Sequence, residues 1–306
     1  MASKNADAWT KVGYALHLTL SIINKAMNDF NGDHVVFCLE RKSWRKDFYE
    51  PYKKNRTNDN PSAEDVETDK LFYDAYTDFC EFLSKRTKCT VLQVELAEAD
   101  DLIARWIATH PDDDHVIISG DSDFHQLIAP NVTQYNGVAN EYVTLNGVFD
   151  DKGKPIKDNK TSQQKTIGDP RYVLFEKCIR GDSSDNIFSA YPGVRKKGSK
   201  NRIGILEAFD DIDKKGYNWN NMMLQKWTDH NGDEHRVLDD YERNKQLIDL
   251  NGQPDELKAF FDEQISIQSA PKDVKNIGVY LLKFCGKYDL VRIAENASNY
   301  SEWMKK

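Results

Sequence analysis

The chain has 306 residues, enough for one large domain or two smaller ones, and its 30% charged against 39% hydrophobic content describes a globular chain rather than a disordered one. No apolar run approaches the roughly 20 residues that span a bilayer, and Met-Ala-Ser-Lys-Asn-Ala-Asp at the N-terminus has no apolar signal core, so a cytoplasmic protein without a membrane partner is expected. The net charge of -8 weighs against a nucleic-acid partner, but the bases segregate: Arg41, Lys42, Arg45, Lys46, Lys53, Lys54 and Arg56 form one stretch, and Arg195, Lys196, Lys197, Lys200 and Arg202 another.

Residues 7–29 predict an amphipathic helix through Trp9, Val12, Leu16, Ile22, Ile23 and Met27. Val35 to Leu39 is a strand-length apolar run with Glu40 at its carboxyl end, where a solvated acid and a site acid are both open readings. Arg41 to Arg56 interleaves Trp44, Phe48, Tyr49 and Tyr52 with bases, as a single-strand channel requires; an ordinary exposed helix is the alternative. Thr57 to Ser62 reads as a loop, and 64–86 as a helix. Thr90 to Val94 predicts a strand, and Ala97 opens a helix whose Glu98 and Asp101 share a face, with Asp100 between them. One acid there would suit the helix dipole, but three are present.

Asp112 to Asp114 read as a solvated loop. Val116 to Gly120 is a buried strand that stops at a glycine and presents Asp121 and Asp123, the usual place for a site in an open α/β sheet. Val132–Tyr135 and Tyr142–Leu145 predict two strands around Asn136-Gly137. Residues 150–169 read as a linker or a surface loop. From 170 the character is helical, leading to Asp182 and Asp185 and then to the Gly-punctuated basic segment 192–200. That segment would offer backbone N–H groups to a DNA phosphate at the next helix start, or be a plain turn. The division expected is an α/β part over 1–169 and a helical DNA-binding part over 170–306.

The five cysteines, Cys38, Cys80, Cys89, Cys178 and Cys285, are dispersed without zinc spacing and read as reduced cytoplasmic thiols. Hard divalent cations take oxygen ligands, and two ions about 4 Å apart can activate a water and stabilise a leaving oxygen in phosphodiester cleavage. Seven acids in three clusters, Glu98/Asp100/Asp101, Asp121/Asp123 and Asp182/Asp185, are expected to converge on such ions, because gathered carboxylates repel one another without a cation.

Trp44-Arg45, Tyr52-Lys53-Lys54-Asn55-Arg56, Glu98-Ala-Asp-Asp101, Gly120-Asp-Ser-Asp123, Gly181-Asp-Ser-Ser-Asp-Asn186 and Pro192-Gly-Val194 together resemble the 5′-nuclease family. This family comprises flap endonucleases, the 5′-nuclease domain of bacterial DNA polymerase I and phage 5′–3′ exonucleases, and the wording is nearest its T-even-like phage ribonuclease H branch. The resemblance implies a PIN-like α/β fold: a largely parallel central sheet flanked by helices, a helical arch over about 41–62 and a helical C-terminal part with a helix–three-turn–helix. It implies two Mg²⁺ ions, with Mn²⁺ as substitute. Glu98, Asp100, Asp121 and Asp123 would hold the first, with Asp101 close by; Asp123, Asp182 and Asp185 would serve the second. Glu40 stands where the family has an aspartate.

Lys53 and Arg56 would steer the scissile phosphate, and Tyr52 would stack on the terminal base. Arg41, Lys42, Trp44, Arg45, Lys46 and Lys54 would line the arch. Gly193, Arg195, Lys196, Lys197, Gly198 and Lys200 would grip duplex DNA, with K⁺ near 193–200. The implied activity is a 5′–3′ nuclease, probed on flaps or RNA primers in phage replication inside the infected bacterium. The implied protein is a monomer that cooperates with a single-stranded-DNA-binding protein and a sliding clamp. The family's opening strand, which ends in an aspartate ligand, has no counterpart before the first helix. Either the start of the chain is placed too late or the segment is lost; if it is lost, the expectation is weaker metal binding, lower activity and a less stable sheet, or a catalytically impaired protein that binds branched DNA. A toxin-like ribonuclease of related topology is disfavoured by the basic arch and the 192–206 segment.

Overall fold

The computed structural model describes residues 7–56, 63–200 and 202–306. In chain order the elements are α1 (Ala8–Asp29), β1 (Val36–Leu39), α2 (Arg45–Phe48), α3 (Ala63–Arg86), β2 (Thr90–Gln93), α4 (Ala99–Thr109), β3 (His115–Ile118), β4 (Val132–Asn136), β5 (Glu141–Thr144), β6 (Gly147–Asp150) and α5 (Pro170–Arg180). They continue with α6 (Ile205–Asp210), α7 (Tyr217–Met223), β7 (Lys226–Thr228), β8 (Glu234–Arg236), α8 (Val237–Ile248), α9 (Asp255–Gln268), α10 (Ile277–Lys287), α11 (Val291–Glu295) and α12 (Ala297–Trp303). The chain forms two units that interleave in sequence. The first is built from Met1–Arg41, Asn58–Leu102 and Phe260–Lys306, the second from Lys42–Thr57 and Ile103–Ala259.

In the first unit, Val12, Leu16, Leu20 and Ile23 of α1 recur at helical spacing and are buried. Asp7 caps that helix by accepting from the Thr10 N–H at 2.8 Å. The same core takes Phe79, Phe82 and Leu83 from α3 and Leu281, Phe284, Ile293 and Trp303 from the C-terminal helices. β1 and β2 pair in parallel, from Val36↔Thr90 to Leu39↔Gln93. Parallel neighbours need a long crossover, and α3 is that crossover.

In the second unit β3 and β4 pair in parallel, and β4–β5–β6 continue as an antiparallel meander. The anticipated turn joins β4 to β5, but β6 was not legible, because Val148-Phe149 is too short to show a period. Residues 150–169 fold back as a fastened loop: Val148 N–H donates to Lys165 O at 2.9 Å and Ile156 N–H to Val148 O at 2.9 Å. The helices α5 to α8 bury Phe175, Ile179, Ile205, Trp219, Met222, Val237, Tyr241 and Leu247. A second cluster, with Ile117, Phe124, Leu127 and Val132, lies behind the end of β3.

The basic segment departs most from expectation. Its described part, 41–56, forms only the four-residue α2 and a 3-10 turn at Lys54–Arg56; residues 57–62 of the expected arch lie outside the described residues. Trp44 is 4%, Arg45 1% and Tyr52 3% exposed. Arg45 Nε donates to Leu247 O at 2.7 Å, and its guanidinium sits over the Trp44 ring. These rings and this cation are spent on internal packing, so Trp44 and Arg45 do not offer a channel wall, nor Tyr52 a stacking face.

Candidate active site

β3 delivers its chain end to a tightly bonded loop. Ser119 Oγ accepts from Asp121 N–H at 3.1 Å, and the Asp121 carboxylate accepts from Asp123 N–H at 2.9 Å, capping the 3-10 turn Ser122–Leu127. Buried Gln134 of β4 donates to both Ser119 O (2.9 Å) and Asp121 O (2.7 Å). Gln126 donates to Ile248 O at 3.1 Å and accepts from Leu250 N–H at 2.9 Å. The loop is thereby fixed on both sides, with Asp121 exposed and Asp123 half-buried.

α5 ends at Gly181 (φ 75), and the chain turns back at once, with Asp182 and Ile187 exchanging backbone bonds of 2.9 and 2.7 Å. Asp182 accepts from Ser184 N–H (2.9 Å) and Oγ–H (2.6 Å). Lys177, one turn back on α5, ion-pairs with Asp123 and with Asp182, the latter at 2.8 Å. Lys177 was not singled out in the sequence. The only available signal was a lysine interrupting the apolar run Phe175, Cys178 and Ile179. Burial pulls the Lys177 ammonium down, but Asp123 and Asp182 outweigh it and its pKa is raised. Burial raises the Asp123 carboxyl above its ordinary value against the pull of Lys177, with Asp121 and Asp182 adding to the rise. For Asp182 burial acts upward too, but Lys177 and Ser184 prevail and hold it low.

Asp185 collects the basic segment. Its carboxylate accepts from Tyr52 Oη–H at 3.1 Å and Arg56 Nη2 at 2.5 Å, with Lys53 Nζ at 3.9 Å, while Lys53 N–H donates to Asp185 O at 2.9 Å. Asn55 Nδ2 donates to Ser183 O at 2.9 Å, and Asn186 Nδ2 to Pro51 O at 2.8 Å. Lys53 and Arg56, expected to face a phosphate, are instead paired here with an acid. Of the other bases in the stretch, Lys42 pairs with Asp47 at 2.8 Å and Lys54 with Glu50, and Lys46 is exposed.

In the first unit Arg41 Nη2 donates to Gln93 Oε1 at 3.1 Å, and Glu40 is exposed at the end of β1. Glu98 precedes α4, and its N–H donates to the Asp101 carboxylate at 3.1 Å. Asp101, fully buried, is the acid that caps this helix start. Burial first and the Asp100 charge second push the Cys38 thiol up to about 12, so it is not a thiolate nucleophile at neutral pH.

The segment 193–200 does not offer the helix-start N–H groups expected of it. Gly198 and Gly204 N–H both donate to the Glu207 carboxylate, at 3.0 and 3.1 Å, and Ile205 and Leu206 N–H donate to Arg195 O and Lys196 O, each at 3.0 Å. Arg195, Lys196, Lys197 and Lys200 remain exposed, and Arg195 lines a cavity of about 250 Å³ with Gly193 and Gly198. Glu207 is held below its ordinary value by these backbone donors, its own N–H first. A depressed folded pKa gives stability that is present above the unfolded value of 4.5 and is lost as pH falls through the folded one. Protection of the Gly198 and Gly204 amides, taken relative to the intrinsic exchange rate at each pH, should therefore fall on acidification below about pH 4.5, and Glu207→Gln should show that lower protection already at neutral pH.

Among the described residues no three His, Cys, Asp or Glu side chains are gathered closely enough to hold one metal ion. Asp123, Asp182 and Asp185 are instead partnered by Lys177, Tyr52, Lys53 and Arg56. Nor, among the described residues, is any helix long and apolar enough to cross a membrane.

The family description "5′-3′ exonuclease, N-terminal resolvase-like domain" matches residues 4–153. DNA polymerase I of Rhizobium leguminosarum is 29% identical over 181 residues, 58% of this chain and 15% of that protein. A 5′-3′ exonuclease of Mycoplasmopsis pulmonis is 26% identical over 200 residues, 64% of this chain and 59% of that one. The chain thus spans less than two thirds of either relative. Among solved structures, the bacteriophage T5 flap endonuclease in complex with DNA and metal ions aligns with 82% of this chain and 89% of its own, at TM-score 0.56 and 17% identity. The T5 5′-exonuclease with bound zinc ions aligns with 87% and 93%, at 0.56 and 16%. At such identities the structural likeness speaks for a shared fold.

Proposed function

We propose that the chain, whose residues 4–153 match the 5′-3′ exonuclease N-terminal resolvase-like domain and whose fold is like that of the T5 flap endonuclease, is a divalent-metal-dependent 5′–3′ nuclease that cuts phosphodiester bonds in duplex DNA carrying a free 5′ end, as an exonuclease or flap endonuclease. One observation carries this reading. Lys177 draws together Asp123 and Asp182, acids far apart in sequence that stand at the end of a parallel strand and of a helix. The donors Asp121, Asp123, Asp182 and Asp185 of the second unit are all carboxylates, which suits a hard cation such as Mg²⁺ or Mn²⁺. A bound ion would supply an activated water and stabilise the leaving oxygen. Arg56 and Lys53 neutralise Asp185 in the free protein and would turn to substrate phosphate when it enters. Exposed Arg195, Lys196, Lys197 and Lys200 would hold the duplex backbone without reading its sequence.

The finer reading follows the sequence motifs. The substrate is a 5′ flap or an RNA-primed end in phage DNA replication in the bacterial cytoplasm. The protein works as a monomer with K⁺ at 193–200, beside a single-stranded-DNA-binding protein and a sliding clamp. The test is incubation of the protein with 5′-flap and RNA-primed duplexes and Mg²⁺ or Mn²⁺. Release of short 5′ products that chelator abolishes is expected. Salt-sensitive flap binding without any product would overturn the enzyme and leave a structure-specific binding protein.

A further inference from the structure

We propose that Lys177 is a built-in counter-cation: its ammonium holds the gap between Asp123 and Asp182 in the metal-free protein and yields it to a divalent ion. This rests on the reading of the site as metal-dependent. Nζ pairs with an Asp123 oxygen and lies 2.8 Å from Asp182 Oδ2, and the three side chains are only 23%, 27% and 11% exposed. Two carboxylates so placed repel each other, and the repulsion is poorly screened where water is scarce. One ammonium between them leaves one negative charge over, which favours its replacement by a doubly charged ion.

Lys177 is suited to leave. Its neighbours Phe175, Cys178 and Ile179 are buried and fix α5, so the displacement is confined to the lysine's own flexible four-carbon stem. Asp123 and Asp182 are themselves held in place, Asp182 by Ser184 N–H and Oγ–H and Asp123 through its backbone bond to Asp121. The pair is thus a preformed seat whose occupant exchanges, and Lys177 acts through the acids rather than on the substrate.

Isothermal calorimetry with MgCl₂ and MnCl₂ on the wild type and on Lys177→Met and Lys177→Arg tests this, with thermal melts in chelator alongside. Lys177→Met should bind the ion at least about tenfold more tightly, because no cation has to be displaced, while Lys177→Arg should stay near the wild type. In chelator Lys177→Met should melt below the wild type and gain more from added metal. A purely structural lysine gives the opposite result, lower stability with unchanged or weaker metal binding, and that result overturns the proposal, as does absence of binding in both proteins. If Lys177→Met does not fold, Lys177→Gln takes its place with the same expectation. Unchanged affinity beside intact flap cleavage removes the counter-cation role and leaves the nuclease reading standing. Tighter binding in a protein that never cleaves does the reverse.

Discussion

Asp182→Asn should lower the rate of 5′-flap cleavage by about a thousandfold or more while leaving flap affinity within a few-fold of the wild type. The charge on Asp182 is held by Lys177 and by two donors from Ser184. Asparagine keeps an oxygen for the Ser184 donors, so the turn survives and only the charge is lost. A carboxylate that positions a catalytic cation contributes several kcal/mol of transition-state stabilisation, and each 1.36 kcal/mol is tenfold in rate. Asp121→Asn should behave alike, since its amide oxygen can still cap Asp123 N–H. Single-turnover cleavage with affinity measured at one fixed salt concentration separates the two effects. Cleavage within tenfold of the wild type would take Asp182 out of the site.

Gly181→Ala is expected to be the most destabilising single-methyl change near the site, at about 3 kcal/mol or more. Gly181 has φ +75, and an added Cβ would stand 2.4 Å from Ile187 O and 2.7 Å from Phe188 C. Those are backbone atoms in the bonded return that carries Asp182 and Asp185, so relief means opening the Asp182–Ile187 pair. The strain of a left-handed alanine and the overlap each cost roughly 1–3 kcal/mol. Gly193→Ala is the control. It shares a positive φ (+71) but has nothing within 4 Å, so only the conformational cost of about 1–2 kcal/mol remains. Urea midpoints at unchanged m-value give both numbers. Equal losses at the two glycines would mean that the 181–187 return is not rigid.

Parts of this molecule are legible in its residues alone. The spacing of Val12, Leu16 and Ile23 determines α1, the apolar runs at 35–39, 90–94 and 116–120 determine strands, and Asn136-Gly137 determines the turn between β4 and β5. The acids that follow a strand at Gly120 and a helix at Gly181 are equally local, because glycine marks where the chain can turn sharply. The resemblance to the 5′-nuclease family follows from the same short motifs. Tertiary structure decided what each polar side chain is used for. Trp44, Arg45 and Tyr52 read as a nucleic-acid surface because composition counts rings and bases without seeing burial; the fold spends them on packing and on Asp185.

The helix start at 204–206 reads as an anion site until Glu207, three residues on, takes the Gly198 and Gly204 donors. Among Glu98, Asp100 and Asp101, only the fold distinguishes the acid that caps. Lys177 had no motif at all. A lone lysine in a helix is ordinary in sequence, and its role exists only because α5 and the loop after β3 bring two acids within reach of one ammonium. Periodicity and turn chemistry are properties of neighbours in the chain, whereas pairing and burial are properties of neighbours in space.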